Sequence, residues 1–215
     1  MLNQRFFNRS AIKVAQNLLG CFIVRKIGQK IIKAKIVETE AYNGPRDLAS
    51  HASRGRTARN AVMFGPAGYL YVYFTYGMHF MLNIVTGKRG YPAAVLIRAV
   101  EPCLACHCEE HIRYAQCKLR DETISGQFIK TAKHTQINRK FNGPARLTKA
   151  LAINKFFNTL PVFTKKYGLW LEPRDCQLKP SQIVRAKRIG VNYAGAYKNK
   201  LWRFYLKDNK FISKQ

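Results

Sequence analysis

The chain has 215 residues, 47% of them hydrophobic, which is enough for one ample core and too apolar for a disordered chain. Thirty-eight Lys and Arg against eleven Asp and Glu give a net charge of +27, a balance that repels itself unless a polyanion neutralises it; the phosphate backbone of nucleic acid is the natural partner. No stretch approaches the roughly 18 apolar residues of a membrane span, which excludes a helical membrane protein.

The opening apolar run is broken by Arg5, Arg9 and Lys13, so the N-terminus reads as soluble and unprocessed. Ser10 as N-cap and Gly20 as terminator bracket a short helix, Ala11 to Leu19, with Ile12, Ala15 and Leu19 at helical spacing. Strand-like runs follow at Cys21 to Lys26 and Ile31 to Ala41. In the second, a period of two places Glu38 and Glu40 on the same face as Ile32, Ala34 and Ile36, so both acids are expected to extend an apolar face. From Asn43 to Gly68 periodicity gives way to Gly, Pro, Ser, Arg and Asn, a long irregular loop of the kind that carries function. Tyr69 to Thr75 and His79 to Val85 form a hairpin around Tyr76-Gly77-Met78, with Tyr76 close to its tip. Ala93 to Val100 is a further buried strand, Leu104 to Leu119 reads as a helix, and Arg120 to Phe141 as a polar, basic surface excursion. Gly143-Pro144 opens a helix through Leu147, Ala150 and Leu151 toward Asn154. Leu169 to Glu172 and Leu201 to Lys207 are strand-like, the latter preceded by a glycine-punctuated turn, Gly190 to Gly195. With no internal repeat and no low-complexity linker, residues 1–215 are expected to form a single domain.

Two carboxylates two residues apart on a strand can bind a metal, act as acid and base, or pair with arginine. Beside them stand Tyr42, His51, Tyr73 and Tyr76, flat faces on which bases stack for about 1–3 kcal/mol each, though a tyrosine-rich strand also serves ordinary sheet packing. A tyrosine at a turn is harder to explain as core. Arg54, Arg56 and Arg59 in the loop, and Arg185, Lys187 and Arg188 before the Gly190 turn, are candidate contacts to a nucleic-acid phosphate backbone.

These segments also resemble a known family. VETEAYNGPRDLASHASRGRTARNAVMF followed by GYLYVYFTYGMHFMLNIV looks like the signature of the alkyladenine (3-methyladenine) DNA glycosylases. RFFNRSAIKVAQNLLG resembles the family's opening helix, VLIRAVEP its central strand, NGPARLTKALAIN its later helix, and RIGVNYAG with LWRFY its closing segment. The resemblance implies an α+β fold, a curved and mainly antiparallel sheet with peripheral helices and a protruding hairpin. It implies a monofunctional enzyme that flips alkylated or deaminated purines out of double-stranded DNA and hydrolyses them away: 3-methyladenine, 7-methylguanine, hypoxanthine or ethenoadenine. An abasic site is left for base excision repair. Residue by residue, Glu40 matches the base that activates water, and Arg98 the residue that helps hold it. Tyr42, His51 and Tyr73 match the pocket walls, Tyr76 the wedge that intercalates, and Asn83 the residue that rejects guanine. No cofactor and no partner beyond damaged DNA are implied, and a monomer is expected. Glu38 is left as an ion-pair or hydrogen-bond acceptor.

One constellation stands apart. Cys103, Cys106, His107, Cys108, His111 and Cys117 crowd fifteen residues, a spacing that can supply zinc with soft ligands, yet buried thiols packing as small hydrophobes explain it too. The resemblance offers no metal there, and none is expected. The six cysteines are not spread as a disulfide framework, which points to a reducing, intracellular compartment: cytoplasm and nucleoid in a bacterium, nucleus in a eukaryote. Two readings from other classes remain, a non-catalytic binder of distorted DNA and a metal-dependent nuclease using Glu38 and Glu40.

Overall fold

A computed structural model of the chain describes residues 1–103 and 141–213. The expected helix over Leu104–Leu119, the basic excursion up to residue 140, and the candidate ligands Cys106, His107 and Cys108 lie outside the described residues. Short helix α1 (Gln4–Phe7) precedes α2 (Ala11–Leu18), which begins where the Ser10 side chain accepts from the Lys13 N–H and buries Ala11, Val14, Ala15 and Leu18. Strands β1 (Phe22–Ile27), β2 (Lys30–Asn43), β3 (Leu70–Thr75), β4 (His79–Val85), β5 (Ala93–Pro102), β6 (Leu169–Glu172), β7 (Ile183–Ala186) and β8 (Arg203–Leu206) form one sheet, and α3 (Pro144–Ala150) packs on β4 and β5. The fold is α+β, as the resemblance implied.

The sheet runs β3-β4-β5-β2-β1-β6, antiparallel throughout. Fourteen-residue β2 is its spine: β5 lies along one edge, while β1 and then β8 share the other, with β7 beyond β8. The main core lies between the sheet and its helices, where Phe7, Leu18, Ile23, Ile36, Ile97 and Phe204 are fully buried.

The strict alternation expected along β2 does not hold. The ladder between β2 and β5 is irregular around Glu38. Before it, Ala34 and Ile36 face the core; after it, Ala41 does, and the Thr39 hydroxyl donates to the Ala15 carbonyl of α2. β5 changes step at the same place, with Val100 in the core on one side of the break and Ile97, Val95 and Ala93 on the other. Pairing therefore resumes in register while the two faces exchange roles, the re-aiming that bulge-like irregularities produce. Glu38 and Glu40 do not extend the face of Ile32, Ala34 and Ile36. They project from the opposite face, with Tyr42 and Arg98.

At the far end of β3 and β4 the hairpin turns through Tyr76 and Gly77, both in the left-handed region (φ 51° and 66°). Glycine takes that conformation freely, but at Tyr76 it costs about 1 kcal/mol or more. The turn holds the Tyr76 side chain in solvent at 84% exposure.

Candidate active site

The face opposite the helices opens into a cavity of about 320 Å³, walled by Tyr42, His51, Tyr73, Asn83 and Arg98, with Tyr76 at its rim. Those six come from β2, the loop after it, the β3–β4 hairpin and β5, and the sheet is what brings them together. Of the residues expected to hold the base, fill its place or carry the chemistry, Glu40 alone does not line the space. It is fully buried behind two residues that do: its carboxylate accepts from the Tyr42 hydroxyl at 2.9 Å and is paired with Arg98 Nη1 at 3.3 Å. The Ile189 N–H donates to its other oxygen at 2.7 Å. Burial, reinforced by the Glu40 charge, pushes the Tyr42 phenol well above its usual range, so it remains a proton donor to Glu40. Burial draws the Arg98 guanidinium down, but Glu40 and Glu38 more than offset this, so it stays charged.

The aromatic walls are themselves tied together. His51 Nδ1 lies 2.9 Å from the Tyr71 hydroxyl, and its ring meets Tyr73 edge-on at 4.6 Å between centroids. Partial burial and the nearby Arg59 charge lower the His51 pKa, which keeps the imidazole neutral at pH 7. Burial raises Tyr71 to about 12 and Tyr73 further. Tyr71 was not singled out from sequence, although the period of two places it on the same face as Tyr73. Asn83 is buried, with Nδ2 donating to the carbonyls of Tyr71 at 3.2 Å and Met81 at 3.4 Å, so its amide cannot swing aside.

Glu38 accepts from Arg203 Nη1 at 3.0 Å, the Ser213 N–H at 2.7 Å and the Ser213 hydroxyl at 2.9 Å, and pairs with Arg98 Nε at 3.3 Å. These contacts make Glu38 an ion-pair and hydrogen-bond acceptor. No group of three or more potential metal-binding side chains occurs among the described residues.

The basic candidates divide. Arg54, Arg56, Arg185 and Lys187 are exposed. Arg59 is exposed but engaged, with its guanidinium 5.1 Å from the Tyr73 ring centre and donating to the Phe74 carbonyl at 2.9 Å. Arg188 is a correction: it is buried and grips Asp47 in a two-pronged pair at 2.6 and 2.8 Å, between the rings of Tyr42 and Trp202. It cannot reach a phosphate from there. The reason is a long-range pairing: Asp47 is fully buried too, and an interior carboxylate requires a cation. Three of the eleven acids in the chain, Glu38, Glu40 and Asp47, are thus buried around this one site, each held by an arginine.

Comparison with known proteins decides the family. Residues 5–210 match the family described as methylpurine-DNA glycosylase. The chain belongs to that family. Three relatives, each named "Putative 3-methyladenine DNA glycosylase", are alike over their whole lengths. The protein of Borrelia garinii subsp. bavariensis is 42% identical, covering 100% of both chains. That of Methanocella arvoryzae is 41% identical over 100% of this chain and 96% of its own. That of Natranaerobius thermophilus is 38% identical over 99% and 98%. The chain is accordingly an enzyme, a DNA glycosylase of the alkylpurine class, with DNA as its partner and DNA repair as its setting. Among the described residues no helix is long and apolar enough to cross a membrane.

Proposed function

We propose that this glycosylase flips a damaged purine from duplex DNA into the cavity and hydrolyses its glycosidic bond, leaving an abasic site with the strand intact. The observation that carries this reading is the joining of an aromatic-walled cavity to the Glu40–Arg98 pair at one wall and to Tyr76 at the mouth. At about 320 Å³ the space is at the small end of ligand pockets, suited to one flat heterocycle. Tyr42 and Tyr73 offer electron-rich faces to an alkylated ring that carries positive charge, and His51 its edge. Tyr76, held out by its turn, fills the gap that the flipped base leaves and so offsets the unstacking cost of a few kcal/mol.

In the chemical step a water attacks the anomeric carbon as the carbon–nitrogen bond breaks. The bonding pair leaves with the purine, and Glu40 accepts the proton from the water. Positive charge grows on the sugar during this passage, and the same carboxylate stabilises it. Arg98, fixed by both acids, orients the water. A purine already cationic through alkylation departs as a neutral base, which favours 3-methyladenine and 7-methylguanine; hypoxanthine and ethenoadenine complete the proposed range. Asn83, immobilised through both donors of its amide, obstructs the exocyclic amino group of guanine; 7-methylguanine carries the same group but offsets the obstruction with its cationic ring and weakened glycosidic bond.

The test is base release from duplexes carrying each lesion, with hot alkali added to cut abasic sites. Release that persists in EDTA and is lost in Glu40→Gln is the expected result. Binding without release by folded protein overturns the reading, as does strand cleavage that EDTA abolishes.

A further inference from the structure

Besides Arg203, the Glu38 network has a second member that the reaction does not use and that comes from the far end of the chain. Ser213 follows β8, more than a hundred residues from Arg98, yet its hydroxyl sits between Arg98 and Glu38. The hydroxyl is 2.9 Å from Glu38 Oε1, 3.4 Å from Arg98 Nε and 3.3 Å from Arg98 Nη2. A carboxylate can only accept and a guanidinium can only donate, so the proton placement is settled. The hydroxyl gives its one hydrogen to Glu38 and receives Arg98 on its lone pairs. The Ser213 N–H adds a second bond to Glu38 at 2.7 Å. Ile212, one residue earlier, is buried against Val37 and Ala99, which anchors the segment at the break in the ladder.

This arrangement bears on a competition. Arg98 is shared between two buried carboxylates at equal distance, 3.3 Å to Glu38 and 3.3 Å to Glu40. Left to itself, Glu38 would draw the guanidinium toward its own oxygens. Ser213, with Arg203 on the other side, already occupies those oxygens and holds Nη2 as well, so that Nη1 remains on Glu40. We infer that Ser213 is a positioning residue for base excision, setting the Arg98 guanidinium against Glu40 by occupying Glu38. The inference rests on the roles given above to Glu40 and Arg98.

The experiment is single-turnover base release from hypoxanthine-containing duplex, with lesion-DNA affinity and melting temperature measured alongside. Ser213→Ala is expected to slow release about 10- to 100-fold, the scale of a small misplacement of a reacting group. Affinity should change by less than about threefold, because the loss falls on the chemical step. Ser213→Thr, which keeps the hydroxyl, should recover most of the rate. In an Arg98→Ala background the same Ser213→Ala change should cost less than about twofold, since the group it positions is gone. Equal losses in the two backgrounds, or a wild-type rate in folded Ser213→Ala, overturn the inference. If Ser213→Ala does not fold, Ser213→Cys, a weak donor and acceptor at the same place, carries both comparisons. Glu40→Gln separates the two levels: full activity in that variant removes the reading of Glu40 itself, whereas its inactivity together with an active Ser213→Ala removes the role of Ser213 alone.

Discussion

Replacing Arg188 with methionine separates two uses of a basic residue that composition cannot tell apart. In the structure Arg188 makes two short bonds to Asp47, at 2.6 and 2.8 Å, and donates to the carbonyls of Ala41 at 2.9 Å and Tyr197 at 3.4 Å. Its removal leaves the buried Asp47 with two backbone donors, the N–H groups of Asn43 and Ala49, each at 3.1 Å. Stranding one partner of a buried pair costs about 3–5 kcal/mol. The two remaining donors and the methionine packed between Tyr42 and Trp202 bring the expected loss to the low end, about 3 kcal/mol. For a chain of this size each kcal/mol moves the melting temperature about 2–4 °C, so a fall of about 6–12 °C is expected. Removing Asp47 as well, by Asp47→Ala, should return part of that loss because no uncompensated charge remains. The companion assay is affinity for undamaged duplex against salt. A phosphate contact contributes about one to the slope of log affinity against log salt, and Arg188→Met should leave that slope unchanged. An unaltered melting temperature together with a slope lowered by about one would refute the buried role.

Tyr76→Gly should raise stability by about 1 kcal/mol by relieving the left-handed tyrosine, while weakening retention of a flipped base; melting and lesion-duplex binding report the two effects, and parallel gains in both would count against the wedge. Tyr71, raised by burial from 10.0 to about 12, contributes stability that is complete below about pH 10 and is lost as the pH rises toward 12, roughly 2–3 kcal/mol. Denaturation curves across that window should therefore fall less steeply in Tyr71→Phe, and identical curves would contradict the shift. Asn83→Ala should increase release of guanine from undamaged DNA, read as alkali-labile sites, with little change in 3-methyladenine release.

Local chemistry wrote much of this fold into the chain directly. The Ser10 cap, the β3–β4 hairpin and the strand Leu169–Glu172 all form where their residue types placed them, because each depends on neighbours a few positions away. The residues around the cavity were equally legible, since Tyr42, His51, Tyr73, Tyr76 and Asn83 belong to two contiguous stretches whose motif is long. Short β7 gave no such signal: its four residues are stabilised by cross-strand bonds to β8 rather than by an apolar pattern of their own.

Three features required the assembled molecule. The face on which Glu38 and Glu40 stand follows from an irregular ladder in which β2 and β5 break step together, and a period of two read from one strand cannot anticipate its partner. Whether an arginine is free for phosphate or bound in the interior depends on where Asp47 lies, 141 positions away along the chain. The hold of Ser213 on Glu38 spans 175 positions. Residue types pointed to carboxylates and tyrosines near nucleic acid, and the family resemblance singled out Glu40 and Arg98; that Arg98 pairs with both buried acids, with Glu40 behind the cavity wall, was decided by long-range pairing. A buried charge takes its partner from whatever the fold brings within about 3 Å, whatever the distance along the sequence.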